Sequence, residues 1–213
     1  MTARAYGQYC GFARSLELIG ERWALLVIRD LFVGPKRFSD LQRGLPKIPS
    51  NILTARLKEL EHAGIVERRV QPRPPGGVVY ELTEDGRDLE SAVIALGRWG
   101  AKHLGDPRPE EIVTDDSMAM ALRTIFRPEY AANDDIAFEL HVGEIVVNAR
   151  VRNATVAVGR GTLPAPDLVI ESGPEIRALL SREITPKEAL KKGTVRLRGK
   201  RALLERFVQL FRI

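Results

Sequence analysis

Between Glu67 and Gly86 the chain reads ERRVQPRPPGGVVYELTEDG. Two arms rich in β-branched and aromatic residues flank a tip of Pro72, Arg73, Pro74, Pro75, Gly76 and Gly77. Proline fixes φ and glycine permits the reversal, so the stretch predicts a β-hairpin with a stiffened tip. No acidic residue lies between Arg68 and Arg73, so the finger is basic as well as stiff. Prolines restrict the free finger, and less entropy is then lost when it binds.

The segment before the hairpin, KIPSNILTARLKELEHAGIV, predicts a helix that opens at Ser50, an N-cap candidate, and stops at Gly64. Leu53, Leu57 and Leu60 form an i, i+4, i+7 stripe that faces inward. Asn51, Thr54, Ala55 and Lys58 are left outward, with Arg56 at the edge. The acids Glu59 and Glu61 come only in the last turns. The helix expected before it, in RFSDLQRGLP, is short: Ser39 is its N-cap candidate, Leu41 and Leu45 its buried side, and Gly44 and Pro46 its end. Residues 11–33 predict two helices broken at Gly20, with Leu16, Ile19, Trp23, Leu26 and Val27 along one face. After the hairpin, Thr83 is expected to cap one long helix with Leu89, Val93, Leu96 and Trp99 or Gly100 in a stripe.

A short helix, a tight turn and a second helix exposed along one side make a helix-turn-helix. The major groove of DNA is about 12 Å wide and admits one α-helix. The start of that helix offers backbone N–H groups to a phosphate. A basic finger beside it suits the narrow, negative minor groove. The candidate DNA-binding residues are therefore Lys36, Arg37, Ser50, Asn51, Thr54, Ala55, Arg56, Lys58, Arg68, Arg69 and Arg73.

The stretch Gly105–Asp116, GDPRPEEIVTDD, is rich in proline, glycine and acid and reads as a linker. The expected organisation is a DNA-binding and dimerisation domain over 1–105, a linker over 106–116 and a second domain over 117–213. In the second half, DIAFELHVGEIVVNARVRNATVAVGR holds three β-rich runs and PDLVIESG a fourth. GPEIRALLSREITPKEALKKG predicts two short helices, TVRLRG a strand and KRALLERFVQLF a closing helix. The fold class is α+β: a winged helix-turn-helix followed by an α+β domain whose mainly antiparallel sheet is covered by helices. Leu179, Leu180, Ile184, Leu190, Leu203, Leu204, Phe207, Leu210 and Phe211 either line an apolar cavity or fill a closed core.

Composition narrows the classes. The net charge is +5, and residues 1–105 carry +4 of it, which points to an acidic partner for the first half. Cys10 is the only cysteine, so an intramolecular disulfide or a cysteine-rich metal site is excluded. His62, His103 and His141 have no partner at metal-ligand spacing, and neither a metal nor a cofactor is expected. GRGT, Gly159 to Thr162, lacks the phosphate-loop lysine, and no serine sits in a nucleophile elbow. The acid pairs Asp115–Asp116 and Asp134–Asp135 read as solvated, so an enzyme is not expected. No apolar run approaches the roughly 20 residues of a membrane span. The N-terminus lacks the features of a signal peptide, so a cytoplasmic location without membrane partners is expected.

LELIGERWALLVIRDLFVGPKRFSDL, LTARLKELEHAGIVERRV, PPGGVVYELTEDGRDL and LGRWG resemble the HxlR-type, MarR-like winged-helix transcriptional regulators from about Cys10 to Leu104. The resemblance implies a homodimer, joined by its terminal helices, on a pseudo-palindromic duplex operator. One recognition helix would enter each major groove about 34 Å apart. In that family a cysteine near the start of the domain often acts as a redox or electrophile sensor. Cys10 stands at the matching position as a candidate sensor, or else packs in the dimer contact, and Gly11 follows it where the family usually has proline. Asp167 to Phe211 resembles a sterol carrier protein-like domain. That resemblance implies a curved sheet under helices that enclose, in some members, a tunnel for an apolar effector. The alternatives are a second dimerisation surface for this half, or a lipid carrier in which it is the active module.

Overall fold

The apolar spacing of residues 11–33 yields two helices, α1 (Gly11–Ile19) and α2 (Ala24–Leu31). Glycine is required at the break between them: a Cβ at Gly20 would lie 2.4 Å from the Leu16 carbonyl oxygen. The computed structural model describes residues 5–72, 76–105, 108 and 110–213, and it divides into two units, Met1–Val93 and Ile94–Ile213. Among the described residues no helix is long and apolar enough to cross a membrane.

The first unit continues with α3 (Phe38–Gly44), α4 (Ser50–His62), the antiparallel strands β1 (Val66–Gln71) and β2 (Gly77–Leu82), and α5 (Glu84–Asp88). Helix α6 (Glu90–Ala101) begins in it. Its core is built from Val27, Ile28 and Leu31 of α2, Leu41 of α3, and Leu53, Leu57 and Leu60 of α4, all buried. Each such side chain contributes about 1.5–3 kcal/mol on burial.

Several expectations are corrected. Leu16 and Leu26 are exposed, because the face of α1 and α2 that meets the core is carried by Ala13, Ala24, Val27 and Ile28. Helix α3 starts at Phe38, one residue before Ser39, since the Asp40 carboxylate accepts from the Arg37 amide. Pro49, not Ser50, is the N-cap of α4: its backbone is extended, and its carbonyl accepts from the Leu53 amide at 2.9 Å. The stripe after Thr83 is two helices. The Thr83 hydroxyl accepts from the Gly86 amide at 3.0 Å and starts α5, which gives way to α6 at Leu89. None of the residues of α6 is buried.

The second unit holds α7 (Asp115–Ile125), β3 (Asp135–Val142), β4 (Ile145–Arg152), β5 (Thr155–Arg160) and β6 (Leu168–Ser172). Then follow α8 (Ile176–Leu180), α9 (Pro186–Lys192), β7 (Val195–Gly199) and α10 (Leu203–Leu210). The strands form one sheet in the order β5-β4-β3-β6-β7, antiparallel except where β3 meets β6. Helix α7 has no counterpart in the expected elements. Thr114 and Ser117 cap it reciprocally, which gives a start signal independent of apolar spacing.

Strand alternation puts Phe138, Leu140, Val147, Ala149, Leu168 and Ile170 on one buried face. Phe138, Phe207 and Phe211 stack there with centroids 4.9–6.0 Å apart, and Phe126 adds a ring 5.6 Å from Phe211. Because β5 is an edge and β6 lies inside, residues 161–167 return across the other face. Glu139, on that face, accepts from the Leu163 amide at 2.7 Å and from His141 Nε2 at 2.7 Å. Two acids expected to be solvated are not. Asp116 is 2% exposed and lies 3.5 Å from Arg160, and Asp134 accepts from Arg206 at 2.6 Å. Each carboxylate ties a loop or helix to an arginine distant in sequence, which the local pattern does not reveal.

Candidate nucleic-acid interface

The surface of interest grows from α4. Leu53, Leu57 and Leu60 are at most 1% exposed, so the position of the helix is set by one side of it. On the other side Ser50, Asn51, Thr54 and Lys58 are exposed, while Ala55 and Arg56 are half-buried. The Thr54 hydroxyl donates to the Ser50 carbonyl at 2.8 Å. Its proton is engaged, and its lone pairs remain acceptors for a base amino group. An exposed Asn amide provides both donor and acceptor, the combination that reads the N6 and N7 edge of adenine.

Arg56 plays a different part. Its side chain is only 13% exposed and lies 2.6 Å from Glu59 and 3.4 Å from Glu21. Its charge is spent on joining α4 to the start of α2, so it adds little to the outward field.

The hairpin is fastened to the same core. Lys36 and Tyr80 exchange backbone hydrogen bonds, 2.9 Å from the Lys36 amide and 2.7 Å from the Tyr80 amide. Lys36 is 1% exposed, so its expected place among the DNA-binding residues is corrected: the residue is part of the hairpin's anchorage. Arg37 is half-buried, and its Nη2 donates to the Gly76 carbonyl at 2.6 Å. That bond holds the tip end of β2 to the start of α3. Arg37→Met is expected to remove a charged hydrogen bond worth about 1.5–3 kcal/mol. Amide exchange in Val78 and Val79 should accelerate by about 10–150-fold, and unchanged protection would show that the brace carries no load.

Within β1, the alternation places Arg68 across from Tyr80 and Arg69 across from Val79. Both arginines are exposed. Arg69 lies 2.6 Å from Glu81 and 3.2 Å from Glu67, so two carboxylates offset it. Arg68 makes no ion pair among the described residues and carries the outward charge of this arm. Arg73 lies outside the described residues. The Glu81 pairing was legible only from strand register, because Glu81 sits two residues along the opposite strand from Val79, the partner of Arg69, and so on the same face. Lys47, exposed in the turn between α3 and α4, is a further basic group that the helix pattern does not single out; its place in that turn is the signal.

Cys10 is exposed at the start of α1. The amides of Ala13 and Phe12 favour its thiolate and hold its pKa below the ordinary thiol value. Of the apolar candidates in the second unit, Leu179, Leu180, Leu204, Phe207, Leu210 and Phe211 are buried. Ile184, Leu190 and Leu203 are half-buried. Among the described residues no cluster of three or more side chains could hold a metal.

The HxlR-like helix-turn-helix family matches residues 18–107, the segment that contains α2 to α6. The uncharacterized HTH-type transcriptional regulator YdeP of Bacillus subtilis is 37% identical over 94 residues, 44% of this chain and 73% of that protein. The chain belongs to the HxlR-like helix-turn-helix family. A second relative, the uncharacterized HTH-type transcriptional regulator Rv3095 of Mycobacterium tuberculosis, is 45% identical over 97 residues, 46% of this chain. The match spans 60% of that relative's own length. The solved structure of the HTH-type transcriptional regulator ytcD is 39% identical, with a TM-score of 0.42 over 46% of this chain and 99% of that one. The HxlR-like portion thus coincides with the helix-turn-helix and hairpin described above, and the sheet of the second unit lies outside it.

Proposed function

We propose that the protein is a dimeric transcriptional regulator that binds duplex DNA through the outer side of α4 and the β1–β2 hairpin. One observation carries this reading. The exposed residues in the first turns of α4 are polar or basic, its leucines are fully buried, and a hairpin that presents Arg68 without an ion pair among the described residues is fastened to the same core. Asn51 and Thr54 read base edges. Ser50, Lys58, Arg68 and Arg73 hold phosphates, with Lys47 as an addition. The relatives are transcriptional regulators by name, which supports the same role here. The apolar residues left exposed on α1 (Phe12, Leu16, Leu18) and on α6 (Leu96, Trp99) support a dimer that covers them.

Within the second unit, residues 117–213 are read as a sterol carrier protein-like domain after a linker over 106–116, the last two residues of which, Asp115 and Asp116, begin α7. This domain is the place for an effector to act, with the thiolate-favouring position of Cys10 as a second input. An effector shifts DNA affinity only if it binds the competent and incompetent forms unequally.

Gel-shift titrations over salt and sequence test the division of labour. Arg68→Ala should weaken binding to every duplex and reduce the salt slope by about 0.9. Asn51→Ala should relax preference at one base pair, worth about 1–3 kcal/mol, with the slope unchanged. Equal effects of both substitutions on all sequences and at all salts would overturn the reading.

A further inference from the structure

The second half of the chain is almost neutral overall, yet its charge is not evenly spread. Residues 187–201 carry seven Lys or Arg and a single acid, Glu188. The fold gathers them around one edge of the sheet. Lys187, Lys191 and Lys192 belong to α9, which leads through Gly193 into β7, the outermost strand. Arg196 and Arg198 share one face of β7 by strand alternation, and Lys200 and Arg201 follow it. All seven are exposed.

Internal pairing accounts for part of the set. Arg198 lies 3.0 Å from Glu171 and Lys200 2.7 Å from Asp167. Lys192 acts on Glu188 one turn back. Lys187, Lys191, Arg196 and Arg201 have no ion pair among the described residues. Edge protection is a common reason for lysine on an outer strand. In this sheet it explains little. The opposite edge, β5, has one basic residue, Arg160, and that is turned to the buried Asp116.

We propose that β7 and the end of α9 form a second surface for the phosphate backbone of duplex DNA, in addition to the contacts assigned to the first unit. The proposal rests on the reading of this chain as a DNA-binding protein. A basic edge of this kind fits a polyanion by charge. Chain connection to a DNA-reading unit makes the duplex the polyanion present at high effective concentration. An anionic membrane fits less well, because surface-seeking segments pair basic residues with exposed apolar ones. Here Val195 is buried, and Leu190 and Leu197 are half-buried, so no large apolar side chain stands out among the bases. Phosphate contacts of this type carry no sequence information; they add affinity and salt dependence.

The test uses the full chain, a labelled 40-base-pair duplex of arbitrary sequence and fluorescence anisotropy across a sodium chloride series. Three variants are compared with the unaltered protein: Lys191→Gln/Lys192→Gln/Arg196→Gln, its charge-keeping counterpart Lys191→Arg/Lys192→Arg/Arg196→Lys, and the single Arg201→Gln. Each lost phosphate contact should lower the slope of log affinity against log salt by about 0.9, so about 2.7 for the triple variant. The charge-keeping variant should restore the slope. Arg201→Gln, outside any helix or strand, should lower it by about 0.9 even where the triple variant fails to fold. Unchanged slopes in the triple variant and in Arg201→Gln, with Arg68→Ala still lowering its own, would overturn this surface and leave the first-unit reading standing. No salt-dependent duplex binding by the unaltered chain would overturn both. Loss of binding to phosphatidylserine vesicles with the duplex slope unchanged would assign the edge to a membrane and overturn the proposal.

Discussion

Leu57→Ala is expected to lower the unfolding free energy of the first unit by about 2–5 kcal/mol. The side chain is 1% exposed and belongs to the cluster that holds α2, α3 and α4 together. Truncation loses the transfer free energy of the removed carbons and leaves a void that the three helices close only in part. Against a total stability of about 5–15 kcal/mol, this is a large fraction. Duplex binding should fall with the folded population and recover where the variant is folded, for instance at lower temperature within its stable range. Lys58→Ala, one residue further along the same helix, is the control. It is exposed and should change stability by no more than about 0.5 kcal/mol while weakening DNA binding directly. Urea unfolding followed by circular dichroism separates the two. A cost below about 1 kcal/mol for Leu57→Ala would mean that α4 is not seated as described.

Phe207→Ala is expected to cost the second unit about 3–5 kcal/mol. Phe207 is fully buried, with ring centroids 5.2 Å from Phe138 and 4.9 Å from Phe211. Such ring pairs add about 0.5–1.5 kcal/mol beyond burial. The experiment also decides between the two roles open to these residues. If Phe207 fills a closed core, the full cost is seen. A ring that lines a roomy tunnel has fewer partners to lose, so a cost below about 1 kcal/mol with saturable binding of a fluorescent fatty acid would favour a cavity.

The sequence made some of this legible and hid the rest for physical reasons. The leucine stripe of α4 and the strand–tip–strand pattern at Glu67–Gly86 are local and periodic, and both elements stand where the pattern puts them. The four β-rich runs of the second half, its two short helices and its last strand and helix were legible in the same way. Pairings across long sequence separations were not. Lys36 and Arg37 look like free cations before a helix; the hairpin 39 residues on makes one a buried anchor and the other a brace. Asp134 looks like half of a solvated acid pair until Arg206, 72 residues away, reaches it. Helix α7 escaped because its start is marked by Thr114 and Ser117 rather than by apolar spacing. Expected outward residues such as Asn51 and Thr54 came from a helical period, and they are exposed. Arg56, at the edge of that same period, is drawn inward by Glu21 and Glu59.

The central claim is that α4 and the hairpin meet one duplex together, and tethered cleavage tests it most directly. With Cys10→Ser removing the only natural thiol, Thr54→Cys and Val70→Cys each offer one exposed attachment point for an iron chelate. On a duplex selected for binding, the account predicts cuts in the major groove from position 54 and in the flanking minor groove from position 70, within the same site. Uniform cutting from both positions, or none from either while the protein remains bound, would contradict it.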